Sequence, residues 1–322
     1  MEFSPVSIVV SIKNEIENLP QLLKFLNKQD YPGFEVIIVD DFSTDGSSEF
    51  LMDKPGIRVI KPDNDLPGKK HGLEKGISIA SFENILVTDG DCEGVSSEWV
   101  RTMIEAKSEA QIVLGYAPLL YKSIVGFFAA FETWIIAIQY LSYAKAGIPY
   151  MGVGRNMLFD KKLFEKNKGY EGHKDLASGD DDLLIRDIAT GSNVSITLNP
   201  NSQIFSQAPS SSSTFLRQKK RHLSTSVRYK MKHQLLLSIW AISQMFFYLL
   251  IALYGCLSLD WRIVGTIWIV KIVIQWVIAI FVGIKMKETR FLALFPILDL
   301  LLAIHYWMMV PFTFIKNKYD WN

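Results

Sequence analysis

An open, doubly wound α/β sheet of Rossmann-like type, followed by an all-α membrane region of about three transmembrane helices, is the fold class that the sequence predicts. Three observations predict it. Apolar, β-branched runs recur between residues 6 and 90, and two of them stop abruptly at paired carboxylates. Helically spaced leucines and polar turns separate these runs. The last third of the chain is overwhelmingly apolar, so its 322 residues divide into a domain over 1–232 and membrane helices over 233–322. The net charge of +1 gives no bias toward nucleic acid, and no nucleic-acid partner is expected. Cys92 and Cys256 lie in segments of opposite character, which argues against a disulfide framework and fits a reducing cytosolic face. Met1 to Pro5 carries no basic start and no long apolar run, so no cleaved signal peptide is expected.

Val6 to Ser11 is a continuous apolar run interrupted only by serines, the pattern of a strand buried on both faces. Lys13, Asn14 and Glu15 follow in a polar loop, and Leu19, Leu22, Leu23 and Leu26 mark the next helix. A second strand, Phe34 to Val39, ends in Asp40 and Asp41, placed where a carboxylate can accept hydrogen bonds from a ribose or a base imino group. Ser43 or Asp45 caps the helix after it, which is compatible with binding by its neighbours. Ile57 to Ile60 is a third strand, Asp63 to Gly68 is turn chemistry, and Lys69 and Lys70 open a basic helix able to meet a diphosphate. The segment is not a Walker A loop.

The next strand, Asn84 to Thr88, delivers Asp89 and Asp91 to a sheet edge, with Gly90 between them. Two convergent hard oxygen ligands suit Mg²⁺ or Mn²⁺ shared with substrate phosphates, although an isolated Asp-Gly-Asp reads equally as a solvated turn. Gly126 to Tyr140 is apolar nearly all round, flanked by Lys122 and Lys145 and interrupted by Glu132. A helix over 124–144 therefore reads either as lying in a membrane interface or as a buried core helix. Asp180, Asp181 and Asp182 repel one another, so at least one acid is raised, as a general base requires. The same cluster also suits the N-terminus of the helix beginning near Leu183. Val194 to Leu198 is a last strand, and an amphipathic helix follows over 214–230.

These residues carry a resemblance. Ser11-Ile12-Lys13-Asn14-Glu15, Val39-Asp40-Asp41-Phe42-Ser43-Thr44-Asp45, Gly68-Lys69 through Gly76-Ile77, and Asp89-Gly90-Asp91 fall in the order of motifs found in family-2 glycosyltransferases. Gly152 to Asn156 resembles the glycine-containing loop of that family, Gly179-Asp180-Asp181 its base signature, and Gln218 with Arg221 its Gln-x-x-Arg segment. The resemblance implies a GT-A fold and an inverting transfer from a nucleotide-sugar donor. It implies donor contacts by Glu15, Asp40, Asp41, Lys69, Asp89, Gln218 and Arg221, and a metal on Asp91 assisted by Asp89. Its base is Asp181 when aligned on Gly179, or Asp180 when aligned on Leu183 and Arg186. Lys13 stands where the family has an aromatic, Glu74 where it has Asn, and His222 where it has Trp.

Gln234 to Leu259, Ile263 to Ile284 and Phe291 to Ile315 are long enough to span a bilayer. Lys271 and Asp299 interrupt the second and third, and either pair with each other or leave Lys271 lining an acceptor groove. Arg228, Lys230 and Lys232 before the first span, with Lys285, Lys287 and Arg290 after the second, put the catalytic domain in the cytosol by the positive-inside rule. Lys316 and Lys318 would then lie outside. The expectation is a multi-pass membrane enzyme acting on a lipid or lipid-linked envelope glycan. A processive polysaccharide synthase, a polyprenyl-phosphate transferase and a non-enzymatic scaffold with a vestigial nucleotide fold are its alternatives.

Overall fold

The computed structural model describes residues 4–62, 68–176, 178–258 and 260–313. These fall into two compact units, divided between Thr225 and Ser226. The turn foreseen over residues 63–67 and the terminal lysines Lys316 and Lys318 lie outside the described residues.

The first unit begins with β1 (Val6–Ile12), α1 (Leu19–Leu26), β2 (Phe34–Asp40), α2 (Ser47–Leu51), β3 (Ile57–Ile60), α3 (Lys69–Ile79) and β4 (Asn84–Asp89). It continues through β5 (Glu93–Gly94), α4 (Trp99–Lys107), β6 (Ile112–Gly115), β7 (Leu119–Leu120), α5 (Ile124–Lys145), β8 (Met157–Asp160) and α6 (Lys161–Lys166). It closes with α7 (Asp182–Ile188), β9 (Val194–Thr197), β10 (Ile204–Gln207) and α8 (Ser212–Ser226). Seven strands pair in the order β3-β2-β1-β4-β8-β6-β9, and β5-β10-β7 form a smaller sheet. The first four are parallel, as their alternation with helices dictates. β8 runs antiparallel to both β4 and β6, making the sheet mixed.

Register decides where the chemistry falls. Ile12 lies opposite Asp40, and Ser11 lies opposite Asp89. The three acid-bearing loops after β1, β2 and β4 therefore leave the sheet at one edge, where open α/β sheets bind ligands. Beneath that edge, β1 is wholly buried, with Val6, Ile8, Val10 and Ile12 packed against Leu19, Leu22, Phe25 and Leu26 of α1. Phe25 meets Trp99 of α4 with ring centroids 5.3 Å apart. On the opposite face α3 sits close because of Gly76. A Cβ there would lie 2.7 Å from Val9 Cγ1 and 2.8 Å from Val39 Cγ2.

α5 buries one side, including Ala130, Phe131, Trp134, Ala137 and Tyr140, and contacts β7 and β9. Tyr140 donates to the Gly115 carbonyl at 2.7 Å. Glu132, the acid that interrupts its apolar surface, is paired with Lys219 of α8 at 2.7 Å. Among the described residues four helices, not three, are long and apolar enough to cross a membrane, and α5 is the additional one. The helix expected over 124–144 as interfacial or core is observed as Ile124–Lys145, 22 residues, long enough to span as well.

The second unit holds α9 (Met231–Ser258), α10 (Trp261–Lys285) and α11 (Phe295–Thr313). Lys271 of α10 is paired with Asp299 of α11, and Tyr248 of α9 donates to the same carboxylate. Each isolated charge thus finds its partner on a neighbouring helix, the first of the two readings. Replacing Lys271 by Met leaves Asp299 without its counterion and is expected to cost about 3 kcal/mol. The expected readout is a lower unfolding midpoint in detergent, largely regained in the Lys271→Met/Asp299→Leu double variant. An unchanged midpoint in the single variant would show that the pair does not hold the helices.

Candidate active site

The loops after β1 and β2 are stitched together before any ligand enters. Asn14 accepts from Thr44 N at 2.8 Å and its own N donates to Ser43 Oγ at 2.9 Å. Asp45 accepts from Ile16 N and Ser47 N, both at 3.0 Å. The two aspartates after β2 separate in role. Asp40 is fully buried and consumed by its own turn, accepting from Ser43 N at 2.9 Å and from the Ser48 hydroxyl. Asp41 accepts from Gly68 N at 2.7 Å, while its buried Oδ2 has no hydrogen-bond partner and faces Lys13 Nζ at 3.6 Å. A buried acceptor left over in this way is the one suited to a ligand donor group.

The Asp89-Gly90-Asp91 turn lies beside Glu15. Gly90 is required by space, since a Cβ would stand 2.7 Å from Ile12 Cγ2 and 3.0 Å from Glu15 Cγ. Burial raises the acid of Glu15 to about 7; Asn18 opposes this, and Asp91 and Asp89 add to it. Burial and the neighbouring Asp89 likewise raise Asp91, against the pull of Arg155 and Lys69. Asp89 instead has a partner: Lys69 Nζ lies 2.8 Å from its Oδ1 and 2.8 Å from Asp180 Oδ2. Lys69 is therefore a buried bridge between the turn and the aspartate triplet. Burial disfavours its charge, but Asp180 and Asp89 outweigh that and raise its pKa.

The three aspartates of the triplet have three different occupations. Burial opposes the charge of Asp180, yet Lys69 holds its carboxyl below the ordinary range. Asp182 accepts from the Thr225 hydroxyl at 2.5 Å, tying the start of α7 to α8. Asp181 accepts from Gly154 N at 2.9 Å and Asp182 N at 2.7 Å. Burial, followed by repulsion from Asp180 and Asp182, pushes Asp181 up to about 7. Of Asp180 and Asp181, Asp181 is the one whose acid is raised.

α8 is held to the domain by Phe215, whose ring packs edge-on against Phe128 at 6.0 Å, by Lys219 on Glu132, and by Thr225 on Asp182. Gln218 and Arg221 sit one turn apart on this helix, and the charge of Arg221 reaches Asp180. Three further residues, given no site role in the sequence reading, contribute here. Arg155 is anchored by donation to Ser206 Oγ at 2.5 Å and offsets the charge of Asp91. Asn156 locks the same loop, accepting from Trp99 Nε1 and donating to the carbonyls of Tyr116 and Ser202. Glu74, at the family's Asn position, accepts from Tyr170 N at 3.1 Å and so serves the loop before the triplet. The sequence signals for them were the glycine-containing pattern of Gly152 to Asn156 and the departure at Glu74.

No group of three His, Cys, Asp or Glu side chains gathers as a metal site among the described residues. The donor chemistry nonetheless fits a shared divalent ion. Asp91 and Asp89 offer hard oxygens on one turn, and their mutual repulsion is what a cation completed by substrate oxygens would relieve.

A mixed α/β sheet that collects these acidic loops at one edge, joined in sequence to apolar membrane-type helices, has the GT-A fold. The chain belongs to glycosyl transferase family 2: that family's model matches residues 7–167, and the model of glycosyl transferase family group 2 matches 99–315. Glycosyltransferase GlyG of Streptococcus pneumoniae is 34% identical over 116 residues, covering 34% of this chain and 38% of that protein. An undecaprenyl-phosphate 4-deoxy-4-formamido-L-arabinose transferase of Pseudomonas fluorescens is 29% identical over 34% of each chain. The chain thus matches little more than a third of the length of these relatives. The mannosyltransferase PcManGT of Pyrobaculum calidifontis, solved with GDP-Man and Mn²⁺, shares the fold with a TM-score of 0.58 at 16% identity, over 96% of this chain and 87% of that one.

Proposed function

We propose that this family-2 enzyme is an inverting, divalent-metal-dependent membrane glycosyltransferase that moves a sugar from a nucleotide-sugar donor to a hydroxyl of a lipid or lipid-linked glycan. The observation that carries the reading is the division of labour among the carboxylates around Lys69: Lys69 bridges Asp89 and Asp180 and holds the Asp180 acid low, while the adjoining Asp181 is raised to about 7. In this reading Asp181 takes the proton of the acceptor hydroxyl as its oxygen bonds to the anomeric carbon. The bond from that carbon to the donor phosphate breaks, and the nucleoside diphosphate leaves. Arg221 and Arg155 supply positive charge for the leaving group. Asp41, with its spare oxygen, meets the nucleoside, and Glu15 lines the donor side. Mg²⁺ or Mn²⁺ on Asp91, with Asp89 beside it, would neutralise charge on the departing diphosphate.

The basic residues flanking α9 and following α10 favour a cytosolic catalytic domain. A hydroxyl acceptor is favoured because a phosphate needs no base of this strength. The relatives named for undecaprenyl phosphate favour a second reading, transfer to a polyprenyl phosphate. Membranes carrying the chain, offered a panel of labelled nucleotide sugars with Mg²⁺ or Mn²⁺, are expected to release one nucleoside diphosphate and place label in the lipid fraction. No release across the panel would reject the function, and a product cleaved by mild acid at an anomeric phosphate would select the second reading.

The same assay carries a pH prediction. Below about 7 Asp181 is protonated and cannot accept the hydroxyl proton; above it the carboxylate is present. The rate is therefore expected to fall about tenfold per pH unit on the acid side and to level off above neutrality. A flat profile from about pH 5.5 to 8 would remove Asp181 as the base.

A further inference from the structure

His173, outside the family-2 motifs, is fully enclosed in front of the aspartate triplet, with 1% of its surface exposed. Its Nε2 lies 2.9 Å from the Gly179 carbonyl. A carbonyl only accepts, so Nε2 carries the hydrogen. The other ring nitrogen, Nδ1, lies 3.5 Å from Asp187 Oδ2 on α7, and Arg186 holds that carboxylate through two donors. The backbone carbonyl of His173 accepts from Lys70 Nζ at 2.8 Å, and Lys70 follows the bridging Lys69. Tyr170 packs edge-on against the imidazole at 5.7 Å. The residue the ring grips is itself constrained: Gly179 has φ +93°, and a Cβ there would lie 2.6 Å from Leu183 Cδ1. Asp180 and Asp181 follow immediately.

We infer that His173 is the positioning residue of the base, linking α3 and α7 through the Gly179 carbonyl so that Asp181 meets Gly154. The inference rests on the reading of Asp181 as base. The contacts of His173 run to Gly179, Asp187, Lys70 and Tyr170, none of them assigned to the donor, so its effect is expected on turnover and not on donor affinity. A displacement of about 1 Å at a reacting group is enough to cost on the order of 100-fold in rate.

The test is steady-state transfer by the full chain in membranes, with donor KM and kcat measured separately for His173→Leu and His173→Gln. Leucine removes both polar contacts; glutamine keeps an amide donor for Gly179. The expected result is a kcat lower by about 100-fold in the leucine variant at a donor KM within about twofold, with glutamine recovering about tenfold of the loss. Where the leucine variant does not fold, a tenfold fall in kcat at constant KM in the glutamine variant supports the inference. Equal kcat in the two variants, an undiminished kcat, or a loss carried by KM overturns it. Failure of the unaltered chain to turn over any nucleotide sugar rejects the functional reading, and this inference with it.

Discussion

Asp181→Asn is expected to lower the transfer rate by about 1,000-fold while leaving the fold and donor binding in place, the magnitude typical of a removed general base. Gly154 N and Asp182 N donate to different oxygens of the Asp181 carboxylate, so the single asparagine oxygen keeps one of the loop's two backbone contacts. What it loses is the ability to take a proton. Asp180→Asn should behave differently. Lys69 would lose one of its two carboxylate partners in a buried site, at a cost of about 3 kcal/mol. That variant is expected to unfold at a lower temperature as well as to slow. Rate and thermal midpoint measured on both variants separate the roles. Transfer by Asp181→Asn within about tenfold of the unaltered chain would sink the assignment.

Asp91→Ala is the second large effect expected, a rate loss of at least about 100-fold accompanied by loss of the response to added Mn²⁺. Calorimetry gives a readout independent of turnover. Nucleoside diphosphate should bind the unaltered chain more tightly with Mn²⁺ than without, and should bind Asp91→Ala equally in both. Asp89→Ala predicts a different signature, because the Asp89 carboxylate is already 2.8 Å from Lys69. It is expected to weaken binding even without metal by releasing that lysine. An Asp91→Ala protein that still binds more tightly with Mn²⁺ would place the ion elsewhere.

Much of this architecture was legible in the chain because strand identity and strand ends are local properties. β1, β2 and β4 are apolar runs long enough to be buried, and each is stopped by polar residues no buried strand tolerates. The Lys271 and Asp299 pairing was legible for a related reason: a charge within an apolar span must find a partner. The strands β6 and β8 were not legible. β8 runs antiparallel to both of its neighbours, a pairing that no local pattern in its four residues encodes, and β6 takes its place between β8 and β9. α5 was under-read because apolar residues on a core-facing helix and on a membrane helix look the same in one dimension.

The Asp89-Gly90-Asp91 turn and the aspartate triplet mark the same boundary at the site. The sequence by itself determined that carboxylates would stand at one sheet edge and that a lysine would open the helix before β4. Only the tertiary structure decided which carboxylate Lys69 neutralises, that Asp40 is used up by its own turn while Asp41 keeps an oxygen free of hydrogen bonds, and that Asp181 carries the raised acid. The physical reason is that burial and proximity set a buried group's charge, and both depend on which distant segments the fold brings within a few ångströms.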